Sequence, residues 1–209
     1  MTDVWAALSI ASVALCVAAF GVLHLVAANM SPIERTLSEY ALTAYRWLYS
    51  LAVGSVVLAV VLLAVGLYTA SPGTVPTAAT VLLGVFAVAM LVAAVFRTDF
   101  MDPHAGEFAM THSGVVHAIA GFIAGLALCA AAPLLDGSLT RLGASHEWTA
   151  VMSWTPTAGL AIFLVTIVAR GPLHRLTGRV SVHGIGERLG FAACLAWLGY
   201  AAISLVLAT

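Results

Sequence analysis

Six apolar runs, each long enough to cross a bilayer, constrain this chain more than any other feature. They cover residues 4–28, 47–70, 75–96, 113–134, 150–169 and 186–208. About 30 Å of hydrocarbon needs roughly 20 residues at 1.5 Å each, so each run predicts a membrane-spanning helix. With 62% hydrophobic and only 8% charged residues and a mean hydropathy of +1.07, an ordinary soluble domain is excluded, since charged residues make up about a quarter of one. The predicted fold is all-α, a polytopic bundle of six transmembrane helices forming one domain over 1–209. The first run has no basic segment before it and no small-residue cleavage site after it, so it reads as a retained span.

Charge is distributed unevenly between the two faces. The loops after the first, third and fifth runs, with their flanks, hold Arg35, Arg46, Arg97, Arg170, Arg175, Arg179 and Arg188, whereas the opposite face has Arg141 alone. The positive-inside rule therefore puts these loops in the cytoplasm of a plasma (inner) membrane protein and both termini outside. Most acids and histidines share the arginine-rich side, and the mid-membrane positions are nearly all apolar. A channel or alternating-access carrier would line its path with polar groups near the midplane. The pattern predicts instead a bundle whose pocket opens toward the cytoplasmic leaflet. A net charge of −1 leaves no basic footprint for nucleic acid; the expected partners are the bilayer and a hydrophobic, prenylated small molecule, and nothing in the chain sets an oligomeric state.

The polar chemistry is concentrated in residues 96–117, FRTDFMDPHAGEFAMTHSGVVH, which join the third run to the fourth and carry Asp99, Asp102, His104, Glu107, His112 and His117. Unpaired ionisable groups at the centre of a membrane helix cost roughly 2.5–3.5 kcal/mol on insertion scales. Asp99, set between Phe96 and Phe100, is a candidate general acid sheltered by rings, or an interfacial carboxylate paired with Arg97. His117 falls a turn inside the membrane and needs a polar partner there, Asp99 or Glu187. A metal site, if any, would use His104, His112, His117 and Asp99, although their spacing matches no metal motif. No cofactor is implied. Cys16, Cys129 and Cys194 lie singly in apolar runs and read as small core residues.

Two further segments face this stretch. Between the first two runs, Ser31-Pro32 predicts the start of a short amphipathic helix with Ile33, Leu37, Tyr40 and Ala41 on one face. Folded over the pocket, that helix would present Glu39 as a second carboxylate facing Asp99. Glu187 and Arg188 open the sixth run and point about 100° apart, so Arg188 is free to pair with Asp99 across the bundle or to anchor a substrate. Gly121 and Gly125 form a small-xxx-small pattern suited to close helix approach, and Trp47, Tyr49, Trp148 and Trp154 read as interfacial anchors.

These segments, SPIERTLSEYAL, FRTDF closing the third run, and GIGERLGF opening the last, resemble the bacterial membrane family catalogued as domain-of-unknown-function 998. The matching positions are Ser31, Ser38, Phe96, Asp99, His117, Gly184, Glu187 and Arg188, with Arg97 standing where that pattern expects proline. The resemblance implies six helices and little about activity. By analogy only, the size and the acids within an apolar setting are similar to small membrane-bound, drimentine-type terpene cyclases.

Three functions accommodate these residues. The first is a terpene cyclase or isomerase in which Asp99 protonates a prenylated substrate, Glu39 or His117 sets its protonation, and Phe96, Phe100, Tyr40 and Phe122, with Glu187 and Arg188, surround the substrate. The second is a non-enzymatic membrane subunit or small-solute carrier. The third is a metal-dependent lipid hydrolase built on the histidines.

Overall fold

The computed structural model describes residues 2–100, 110–177 and 182–208, with only the backbone of 2 and of 170–177. Among the described residues eight α-helices follow one another: α1 (Thr2–Val26), α2 (Arg46–Ala70), α3 (Thr77–Val95), α4 (His112–Leu134), α5 (Asp136–Arg141), α6 (His146–Ser153), α7 (Thr155–Thr177) and α8 (His183–Leu207). Six candidate spans, Asp3–Val26, Arg46–Ala70, Thr77–Val95, His112–Leu134, His146–Ala169 and His183–Leu207, match the six runs in the sequence. The fifth is built from α6 and most of α7, which meet at Trp154, just before Pro156.

Consecutive spans run antiparallel, as successive crossings of one bilayer must. The pairs α1–α2, α3–α4 and α7–α8 pack most extensively, and α1–α8 and α2–α3 join them, whereas α4 and α7 touch only lightly. The spans thus form a ring with one weak seam. Three glycines set its closest crossing. A Cβ on Gly159 would lie 2.9 Å from Gly190 O and 2.7 Å from the Ala193 methyl, and one on Gly186 would run into Thr166. Without side chains at these points, α7 and α8 approach backbone to backbone. The Gly121–Gly125 pair does less than its spacing predicts. Gly125 meets Leu160 at ordinary contact distance, and nothing lies within 4 Å of a Cβ on Gly121.

The loop between α1 and α2 departs from expectation. Residues 32–35 form turns instead of the start of a helix, and regular structure is confined to the 3₁₀ turn Ser38–Leu42. Ile33 is exposed while Leu37 and Tyr40 are buried. The reason lies in where the backbone finds its partners. Glu39 Oε2 accepts from Thr36 N at 2.9 Å, and the Glu187 carboxylate accepts from Leu37 N. Arg188 donates to Arg35 O at 2.6 Å, and Ile185 N donates to Ile33 O at 3.3 Å. Groups that an α-helix would pair internally are held from outside, chiefly by the first turn of α8. Gly184 permits this, since a Cβ there would come within 2.7 Å of Pro32 O.

Candidate functional site

A cavity of about 320 Å³ lies inside the ring, behind the α4–α7 seam. Its walls come from all six spans and from the loops before α2 and α4. Rings dominate the apolar wall: Phe20, Tyr49, Phe86, Phe122, Phe163 and Phe191. The polar side chains, Thr36, Ser38, Thr98, Asp99, His117 and Glu187, belong to the first turns of α4 and α8 and to the neighbouring loops, so they occupy one end. Phe122, Leu164 and Ile167 line the cavity and are also exposed on the outer surface of the bundle. The opening therefore faces sideways, toward lipid. From Pro156 to Ile167 the α7 wall is roughly 16 Å long at 1.5 Å per residue.

Asp99 is half-buried and fixed. Its Oδ2 accepts from Thr111 N at 2.8 Å and its Oδ1 from Thr111 Oγ1 at 2.8 Å. Thr111 in turn caps α4 by accepting from Gly114 N at 3.1 Å. Asp99 thus sits at the positive end of α4, where an anion is favoured. Its neighbour Gly114 is a glycine because any Cβ would collide with this carboxylate.

His117, one turn along α4, is buried. Its Nδ1 lies 2.7 Å from Ala93 O and 3.0 Å from Phe96 O. Carbonyls only accept, so Nδ1 carries the hydrogen. The polar partner expected for this ring is therefore the frayed carbonyl end of α3, where helix carbonyls lack intrahelical donors, and neither Asp99 nor Glu187 supplies it. The Nε2 edge has no partner among the described residues.

Arg188 does not reach Asp99. Its Nε donates to His24 Nε2 at 2.7 Å, its Nη1 to Arg35 O and to Gly184 O, and its Nη2 to Tyr40 Oη at 3.3 Å. His24 Nδ1 is 2.6 Å from Phe20 O. Nδ1 must therefore donate and Nε2 accept, which fixes a neutral ring. Glu39, 1% exposed, turns toward its own loop: besides Thr36 N it accepts from Arg35 at 3.4 Å. It does not line the cavity, and neither does Tyr40, which is wholly buried under the Arg188 guanidinium.

Of the expected substrate-contacting residues, the structure brings Phe122 and Glu187 to the cavity together with Asp99 and His117. Phe96 and Phe100 point outward, Phe100 lying beneath Arg35 at 5.4 Å. Tyr49 is buried against the cavity, while Trp47, Trp148 and Trp154 are exposed as anchors are. For the metal alternative, His104 lies outside the described residues, along with Asp102 and Glu107, and His112 is exposed at the start of α4. No cluster of three metal-binding side chains occurs among the described residues. Apart from Phe122, the ring-bearing wall residues escaped the sequence reading, though Phe191, one turn after Glu187, carried a usable signal.

The family described as "Protein of unknown function (DUF998)" matches residues 10–204. No curated protein and no solved structure matches the chain.

Proposed function

The chain belongs to the DUF998 family, whose description names no activity, and from the cavity itself we propose an integral membrane cyclase or isomerase of prenylated, membrane-soluble molecules. The apolar part of the substrate lies among the rings, and its reactive end meets Asp99, His117 and Glu187. The arginine asymmetry favours the cytoplasmic side for that end. The observation that carries this reading is one cavity holding six aromatic rings, with carboxyl groups gathered at one end. Ring faces stabilise a passing carbocation, and fixed dipoles act strongly where water is excluded. In the step itself, Asp99 in its protonated form, set at a helix end that favours the anion left behind, gives its proton to a terminal alkene carbon. An internal double bond of the same chain captures the cation, and a proton lost from the adjacent carbon restores the carboxyl group. Atoms balance, and the product is an isomer of the substrate.

A second reading, a subunit or carrier that binds without chemistry, is favoured by one observation: Thr111 already engages both Asp99 oxygens. The test incubates membranes containing the chain with prenylated aromatics and analyses the extract by mass spectrometry. A new product of unchanged mass supports the enzyme, provided Gly121→Leu abolishes it. Gly121 lines the cavity and a Cβ there meets nothing within 4 Å. Leucine therefore fills the hollow while adding about 1 kcal/mol of helix propensity. Probe recovered unchanged from the wild type, and not from Gly121→Leu, ends the enzyme reading and leaves binding.

A further inference from the structure

Building on that reading of the cavity, we infer that its ligand carries a hydrogen-bond donor without negative charge, a hydroxyl or amino group on an apolar chain, and that His117 Nε2 selects it. The polar end of the cavity is rich in acceptors. His117 has its Nδ1 hydrogen committed to Ala93 O and Phe96 O, so the neutral ring offers only a lone pair at Nε2. Asp99 has one lone pair on each oxygen occupied by Thr111, which leaves the others available. Glu187 adds a second carboxyl on the same wall.

Donors there are a few hydroxyls, and cations are scarce. Thr36 and Ser38 are hydrogen-bonded to each other at 3.0 Å, which uses one of their two hydrogens, and Thr98 adds a third hydroxyl. No arginine or lysine is among the described residues lining the cavity. Of the guanidiniums that adjoin its lining residues in sequence, Arg188 is engaged by His24, Arg35 O and Tyr40, and Arg35 by Glu39 and the Phe100 ring. A phosphate or carboxylate head would enter this end facing the Asp99 carboxylate, held by Thr111 at the start of α4, and like charges set against each other cost several kcal/mol. A hydroxyl or ammonium would instead find acceptors waiting. Fatty acids, phospholipids and prenyl phosphates are therefore the wrong class for this site, although their tails would fit.

The experiment measures retention of four probes that share one chain by the purified protein in detergent: farnesol, farnesylamine, farnesyl monophosphate and the hydrocarbon farnesene. Farnesol or farnesylamine should be held at least tenfold more tightly than the monophosphate. His117→Phe should lose that preference while still retaining farnesene, which shows that the variant is folded and its cavity intact. Monophosphate binding equal to or tighter than farnesol overturns the inference and leaves the cavity reading standing. An unchanged preference in His117→Phe removes His117 from the selection. Failure to retain any of the four overturns both this inference and the cavity reading beneath it.

Discussion

Replacing Arg188 by methionine isolates the contact that holds the α1–α2 loop to α8. Methionine keeps the length and apolar stem of the side chain and removes every donor. Gly184 O, four residues earlier in α8, keeps its place beside the helix backbone. Arg35 O and His24 Nε2, held at 2.6 Å and 2.7 Å, lose their partners in a half-buried setting. Orphaning a buried acceptor costs about 1–3 kcal/mol, so two cost about 4 kcal/mol together; the Tyr40 contact at 3.3 Å adds little. For a chain of this size each kcal/mol moves the melting temperature by about 2–4 °C. The expected fall is about 8–16 °C, measured by thermal unfolding of the purified protein in detergent without added ligand. Arg188→Lys should recover only part of it, because one ammonium cannot serve carbonyl, imidazole and phenol together. A fall below about 3 °C would refute the clamp and return Arg188 to the role of a substrate anchor, which costs nothing when no substrate is present.

Three other perturbations test separate parts of the structure. Gly159→Ala should destabilise by about 1–3 kcal/mol through overpacking at the α7–α8 crossing, where the new methyl would lie 2.7 Å from that of Ala193; thermal melts of wild type and variant compare them directly. Thr111→Ala breaks the cap of α4 and Asp99→Asn weakens the bonds that hold the capping residue, so each should lower stability by about 1 kcal/mol, but only Asp99→Asn should abolish isomer formation; equal loss of product in both would mean that capping alone matters. Burial raises the pKa of Asp136, with Ser153 and His146 acting in opposition. Its folded form therefore favours the proton, so stability should decline as pH rises through and above the ordinary aspartate range near 3.9, and Asp136→Asn should flatten that decline in melts taken across pH.

The spans were legible because hydrophobic length alone specifies them, and their ends fall within a few residues of the apolar runs, apart from the fifth, whose helical start at His146 precedes its run. Side-chain roles were less legible, for a physical reason. A residue such as Glu39 or Arg188 reads the same in sequence whether it faces a ligand or a backbone amide. Only the fold shows that the loop's own N–H and C=O groups consume both. The same holds for the predicted amphipathic helix of that loop, whose backbone bonds go elsewhere and whose expected face is split, with Ile33 exposed. His117 needed a polar partner, as its depth required, yet the partner is the carbonyl end of α3, and carbonyls leave no trace in a sequence. Small residues misled in the opposite sense. The spacing of Gly121 and Gly125 suggested helix contact, whereas Gly121 opens onto empty space; the glycines that admit a neighbouring backbone, Gly159 and Gly190, sit on different helices.

Glu187 connects these two halves of the molecule. Its carboxylate accepts from Leu37 N in the clamped loop and also forms part of the cavity wall, where Leu37, Ser38 and Thr36 join it. The loop is therefore not a cover laid over a finished site, because its backbone geometry sets where the polar end of the cavity lies. The far end is independent of it: Phe86 and Cys194 line the cavity from positions deeper in the bundle, and Ser9 ties α1 to α2 through Ala59 O at 2.9 Å. An apolar chain held among the rings would thus feel little of the loop, while a polar head would feel it directly. On the proposed reading, the rings would govern how much apolar chain is held, and the α8 clamp, by fixing Glu187 beside the loop, would govern which head group is accepted.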